Sequence, residues 1–288
     1  MPARLSRYFI LILALLSTLS ANQASYSNEP LTIGIFPRRN AAITIQYFHP
    51  IADYLSKRLQ RPVQIETSKD FASFWKNVAD RRYDVVHYNQ YHYVDSSKRF
   101  GYEVILKNEE FGKKRLSGAI LVRRDSGIEK LTDLRGRKIL FGGGPKAMVS
   151  YIAARHLLRK AGLKDDEYDV KFAKNPPNAC MGTYLKQADA AGVGDIILNL
   201  PLIKKRVKTE QMKFIAISEP LPHIPWAVKN DMPDALKNSI QTILSTLHET
   251  DAGKKILQAA KLTRLHTSVD KDYDVARKII NEFSGTKY

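Results

Sequence analysis

Hydrophobic and polar positions along the chain alternate between two periods. Leu31 to Phe36 (LTIGIF) is a short apolar run that reads as a buried strand, and Pro37-Arg38-Arg39-Asn40 follows it. Gln46 to Leu59 places Tyr47, Ile51, Ala52, Leu55 and Leu59 on one helical face. Pro62 to Thr67 alternates as a second strand. Asp70 then stands as N-cap before a helix marked by Phe71, Phe74, Trp75, Val78 and Ala79. Tyr83 to His87 is a third strand that runs out into the polar, aromatic segment Tyr88 to Tyr93. Val104 to Lys107 and Ala119 to Arg123 read as further strands, and Leu131 to Leu134 as a short helix.

The most informative stretch comes next, Arg137 to Gly162 (RKILFGGGPKAMVSYIAARHLLRKAG). Its pattern predicts a strand over Lys138 to Phe141, a glycine turn over Gly142 to Gly144, and a helix opened by Pro145 and stopped near Gly162. Tyr168 to Ala173 is another strand, Asn175-Pro176-Pro177-Asn178 a turn, and Ala179 to about Gln187 a helix. The run Ala188 to Asp195 reads as a buried strand end with a helix N-terminus near Asp195. Phe214 to Ile217 is a strand, and Leu221 to Val228 a stiff crossover into one. The remainder is expected to be helical over Pro233 to Leu247, Ala252 to Ala260 and Tyr273 to Phe283.

Strands that alternate with helices argue for an α/β protein with parallel, helix-covered sheets. The expected division is a first lobe over 31–118, joined by 221–288, and a second over 119–220. Two crossings with no flexible linker imply a hinge and a cleft. In such sheets ligands gather at the carboxyl ends of strands.

Composition narrows this picture in three ways. Arg4 and Arg7 precede an apolar run from Tyr8 to Leu16 and small residues after it, which predicts an export signal over 1–24. The single cysteine, Cys180, has no intrachain partner and no motif pairing it with a base, so it reads as a small buried apolar group. The net charge of +17 suits an anionic small molecule, a membrane surface or nucleic acid. It is dispersed along the chain with no nucleic-acid motif, so a nucleic-acid partner is not expected.

Candidate chemistry points to recognition rather than turnover. His87 and His92 lack a third ligand at a metal-binding interval. There is no Gly-x-Ser-x-Gly elbow, and the glycine turn lacks both the dinucleotide fingerprint and the Gly-Lys-Ser/Thr phosphate loop, so neither an enzyme nor a cofactor is expected. What remains are donors at strand ends: Arg38, Arg39, Tyr88, Asn89, Gln90, Lys146, Ser150, Asn175 and Asn178, with Asp195 at the glycine-bearing run. A strand, a glycine turn and an uncapped helix N-terminus also offer backbone N–H groups, here from Gly143, Gly144, Lys146, Ala147 and Met148. Together they describe capture of a small oxyanion.

The order of segments carries a resemblance: LTIGIFP, then HPIADYLSKRLQRPVQIETSKDFASFWKNVADRRYDVVHYNQYHYV, LTDLRGRKILFGGG, NPPNA and QADAAGVGD. It resembles the periplasmic phosphate/phosphite/phosphonate-binding proteins of ABC importers. The resemblance implies a two-lobed type II periplasmic-binding fold, a monomer in the periplasm, and the membrane subunits of an importer as partners. It equates Tyr88 with the family's ligand-contacting tyrosine and the Asn178 region with a polar contact from the second lobe. Where the family's phosphonate binders carry Ser-Thr-Ser, this chain has Pro145-Lys146-Ala147-Met148-Val149-Ser150. The alternative expectation is a sensor of the same fold that reports its bound state to a membrane kinase.

Overall fold

The computed structural model describes residues 29–288; the expected export signal lies outside them. One sheet has six strands in the order β13-β4-β12-β3-β1-β2: β1 (Leu31–Ile35), β2 (Val63–Glu66), β3 (Val85–His87), β4 (Tyr102–Glu109), β12 (Pro225–Lys229) and β13 (Arg264–Thr267). The other has five, in the order β10-β6-β9-β7-β8: β6 (Gly118–Arg123), β7 (Lys138–Gly142), β8 (Asp169–Ala173), β9 (Ala190–Gly194) and β10 (Met212–Ile217). The chain passes from the first sheet to the second between β4 and β6 and returns between β10 and β12. At these two crossings β5 (Arg115–Leu116) and β11 (Leu221–Pro222) pair into a small antiparallel ribbon.

Both sheets are mixed, not parallel throughout. β1 pairs parallel with β2 and β3, and β7 with β8 and β9. The strands beside the crossings, β4, β6, β10 and β12, run antiparallel to their neighbours, because each carries the chain out of or back into its sheet.

Helix α1 (Ala41–Leu59) starts five residues before its clean apolar face. Asn40 caps it, its side chain accepting from the Ile43 amide at 2.9 Å. Helix α2 (Phe71–Ala79) has the expected Asp70 cap, on the Ser73 amide. Helix α3 (Gln90–Arg99) starts within the polar, aromatic segment Tyr88 to Tyr93 and runs on past it. Its buried residues are Gln90, His92, Tyr93, Val94, Asp95 and Ser96, mostly polar, so no apolar period announces it. The edge strand β13 was equally hidden, since among Arg264–Thr267 only Leu265 is buried.

Beyond the glycine turn the helix begins only at Met148, with a wide first turn over Met148–Ala153 that continues as α4 (Ala154–Lys160). Pro145 therefore precedes the helix. The pair Pro176-Pro177 opens α5 (Pro176–Tyr184) where a turn was expected, with Asn175 as its cap. A short helix, α6 (Pro201–Lys204), follows β9, and α7 (Asp234–Ser245), α8 (Asp251–Ala259) and α9 (Asp274–Ser284) close the chain. Cys180 is buried and free on α5, and burial pushes its thiol up to about 12, as expected of a packing residue.

One core lies around Leu31, Ile51, Leu55, Trp226 and Leu257 and another around Leu121, Val193, Ile203 and Met212. A third is shared by residues from both sheets and their helices, including Phe74, Tyr93, Phe141, Met148 and Ile280. Helix α9 contributes to this sharing: Arg159 on α4 donates to the Phe283 carbonyl at 3.1 Å, and the Tyr151 and Phe283 rings meet edge to face.

Candidate functional site

The end of β1 is fixed beside the end of β3, because the Phe36 amide donates to the His87 carbonyl at 3.0 Å. This brings Arg38 and Arg39 over a small, partly open pocket whose other polar lining is Thr44, His87, Glu110 and Lys261. Arg38 stands 3.6 Å from Glu110 and over the Phe36 ring. Arg39 and Lys261 both lie against the Tyr47 ring, at 5.2 and 5.1 Å. Three cations thus face one carboxylate, a balance that suits a small oxyanion.

His87 lines the pocket with its ring. It stacks on Trp226 at 4.5 Å, and its Nδ1 lies 3.1 Å from the Pro225 carbonyl. A carbonyl only accepts, so Nδ1 carries the proton and Nε2 is the acceptor. Burial brings the ring's pKa down to about 3, so it is neutral. His92 is also held at about 3, by burial and then by the Lys146 charge, among the rings of Trp75, Phe71 and Tyr91.

The other expected site residues divide by what already engages them. Tyr88 is fully buried and its hydroxyl pairs with Ser96 at 2.6 Å; burial raises its pKa far above the ordinary value, and it faces core instead of ligand. Gln90 is buried as well and donates to the Pro222 carbonyl at 2.9 Å, tying α3 to the second crossing. Asn89 caps α3 through the His92 amide, while its Nδ2 donates to the Lys146 carbonyl at 3.0 Å.

Lys146 does not reach toward Arg38. Its ammonium lies over Trp75 and Tyr91, at 5.8 and 5.9 Å from the ring centres. With the Asn89 bond it forms a contact between the glycine-turn side and the first sheet's helices. Met148 is packed in the shared core, and the Ser150 hydroxyl donates to the Gly142 carbonyl. Asn175 spends its oxygen on the Asn178 amide, and Asn178 is exposed. Asp195 accepts from the Ser117 amide at 3.1 Å and pairs with Lys113 at 3.2 Å, which braces the first crossing.

The backbone donors are thinned in the same way. Gly143, at φ +101°, gives its N–H to the Ala173 carbonyl, and Ala147 gives its own to Gly144. The N–H groups of Gly144, Lys146 and Met148 have no hydrogen-bond partner among the described residues, and no side chain caps the helix at Ala147. Of the fourteen residues expected at the site, the pocket gathers Arg38 and Arg39, and one contact joins Asn89 to Lys146. Glu110, Lys261, Thr44 and His87 were missed. Glu110 follows the last residue of β4, and Lys261 sits in a loop at φ +64°, where no local pattern marks a site.

Replacing Lys146 by alanine removes the ammonium from the two rings but leaves the backbone acceptor for Asn89. The expected cost is about 0.5–1 kcal/mol, less than a tenfold change in anion affinity by titration. A hundredfold loss would instead make Lys146 a direct anion contact.

Two α/β sheets joined by paired crossings, with a polar pocket where β1 and β3 end, define the two-lobed type II periplasmic-binding-protein fold. Solved structures share it. A Prochlorococcus marinus protein, PhnD1, in complex with methylphosphonate matches with a TM-score of 0.75 at 15% identity, covering 90% of this chain and 100% of that one. A Xanthomonas citri protein bound to chloride ion gives 0.75 at 16%, covering 88% and 96%. A binding protein component of an ABC phosphonate transporter from Pseudomonas aeruginosa gives 0.72 at 16%, covering 88% and 86%. The family described as "ABC transporter, phosphonate, periplasmic substrate-binding protein" matches residues 33–273, and the chain belongs to it.

Proposed function

We propose that this chain is an exported binding protein that captures a small phosphorus oxyanion, of the phosphate, phosphite or phosphonate class, and delivers it to the membrane subunits of an ABC importer. The observation that carries this reading is the pocket where Arg38, Arg39 and Lys261 outnumber Glu110. Arg38 exchanges its pairing with Glu110 for the ligand's oxygens, and the guanidinium fork provides two parallel donors. No acid–base step is needed: the functional event is closure of 119–220 on 31–118 with 221–288, about the β5–β11 ribbon. It is driven by the ligand's higher affinity for the closed state.

The helix that starts at Met148 contributes N–H groups where related phosphonate binders have hydroxyls. Methylphosphonate, found in the Prochlorococcus relative, is therefore the first probe, with phosphate and phosphite beside it. At one hundred times Kd a bound anion adds about 2.7 kcal/mol of stability, a shift of several degrees in melting temperature. A panel of these compounds with sulfonates and carboxylates should give that shift for the phosphorus oxyanions. Uniform absence of a shift would remove small-anion capture.

A further inference from the structure

Lys146, in the loop after β7, reaches the first sheet's helices twice. The loop itself is fixed, because the Gly143 amide donates to the Ala173 carbonyl at 2.8 Å and the Ala147 amide to the Gly144 carbonyl at 2.9 Å. The Lys146 carbonyl accepts from Asn89 Nδ2 at 3.0 Å. Asn89 is fixed as well, since its Oδ1 accepts from the His92 amide at the start of α3. One side-chain amide therefore caps a helix of the first sheet with its oxygen and holds the second sheet's loop with its nitrogen.

The Lys146 side chain crosses in the same direction. Its ammonium rests over the rings of Trp75 on α2 and Tyr91 on α3. Both rings are held from behind: Trp75 packs on His92 and Phe100 at 4.8 and 5.6 Å, and Tyr91 meets His92 edge to face at 5.7 Å. Lys146 is exposed, and Asn89, Trp75 and Tyr91 are half-buried. Parting them returns the ammonium and the amide to water and strands no buried charge. Contacts of this kind hold two bodies together and still release them.

We propose that Lys146, seated between Trp75 and Tyr91 and tied by Asn89, is a latch that holds 119–220 closed on 31–118 and slows escape of the ligand. Its part in retention rests on the oxyanion reading above; its part in closure does not, because the contact is made among protein atoms alone. The latch adds no bond to the anion. It favours the closed arrangement in the empty protein and the loaded one alike, and raises affinity by enlarging the closed fraction. The change falls on dissociation, since latching follows encounter.

Two readouts test it. Small-angle X-ray scattering of the anion-free protein reads closure. Stopped-flow fluorescence with methylphosphonate and with inorganic phosphate reads release, with Trp75 at the contact as reporter and the second tryptophan, Trp226, fully buried. Asn89→Ser keeps a good helix cap and loses the reaching nitrogen; Lys146→Ala loses the ammonium. Each is expected to speed dissociation about two- to fivefold and the pair about tenfold, with association unchanged. The empty double variant should also have the larger radius of gyration. Lys146→Arg keeps a cation over the rings and should match the parent in both readouts. The latch requires both changes in the double variant, and either one missing overturns it while the oxyanion reading stands. If the parent binds neither anion, that reading falls and retention with it. Scattering then decides closure alone: a larger radius in the double variant supports it, and an equal one overturns it.

Discussion

Acidification from pH 7 to pH 5 should cost the ligand-free protein about 6 kcal/mol of unfolding free energy. The loss comes from His87, His92 and His223, all buried, whose pKa values are about 3, 3 and 4 in the fold, in each case chiefly because burial disfavours the charged ring. In the unfolded chain each titrates near the ordinary value of about 6.5. The folded pKa is the lower one, so below pH 6.5 the unfolded state binds more protons than the folded state. The stabilisation is therefore complete above pH 6.5 and drains away as pH falls toward 4 for His223 and toward 3 for His87 and His92. Each histidine contributes about 1.4 kcal/mol per pH unit, roughly 2 kcal/mol down to pH 5. Asp165, at about 2, loses its ion pairs with Arg155 and Arg159 only at lower pH and does not blur this window. Denaturant titrations at pH 7, 6 and 5 measure the slope directly. Midpoints that coincide between pH 7 and pH 5 would mean the three rings are not held neutral.

Arg38→Ala is expected to weaken binding of methylphosphonate or phosphate by about 2–3 kcal/mol, thirty- to two-hundredfold, as befits loss of charge-assisted bonds. The same substitution should barely move the stability of the empty protein. Its pairing with Glu110 at 3.6 Å is partly exposed and is worth less than about 1 kcal/mol. This separation of affinity from stability distinguishes a ligand contact from a structural ion pair. Arg38→Lys retains charge without the planar fork and should fall between the two. Equal affinity in the alanine variant would move the anion elsewhere.

How much of this was readable in the sequence depends on which atoms do the work. LTIGIF and RKILFG followed by glycines announce strands with buried positions and their exits, the alternation through 62–67 announces a half-covered strand, and the structure has β1, β7 and β2 there. Arg38 and Arg39 were legible for the same reason, as cations directly after a buried strand. Helix α3 was not, because its inner side is largely polar: Tyr88 pairs with Ser96, Gln90 donates to the Pro222 carbonyl and Asn89 accepts from the His92 amide, which leaves no apolar period. Lys146 and Ser150 show the complementary failure. Position alone puts them at a helix N-terminus, but their side chains settle on Trp75, Tyr91 and the Gly142 carbonyl. Glu110 and Lys261 meet through the pairing of β4 with β13, and Arg38 and Arg39 reach them through the order β4-β12-β3-β1, long-range registers that local pattern does not encode.

Titration calorimetry on protein unfolded in denaturant, dialysed free of bound small molecules and refolded, tests the central claim most directly. Saturable binding of methylphosphonate or inorganic phosphate is expected at one site per chain, much weaker in Arg38→Ala. A correctly refolded protein that gives no heat with either anion, and no displacement of one by the other, would contradict it.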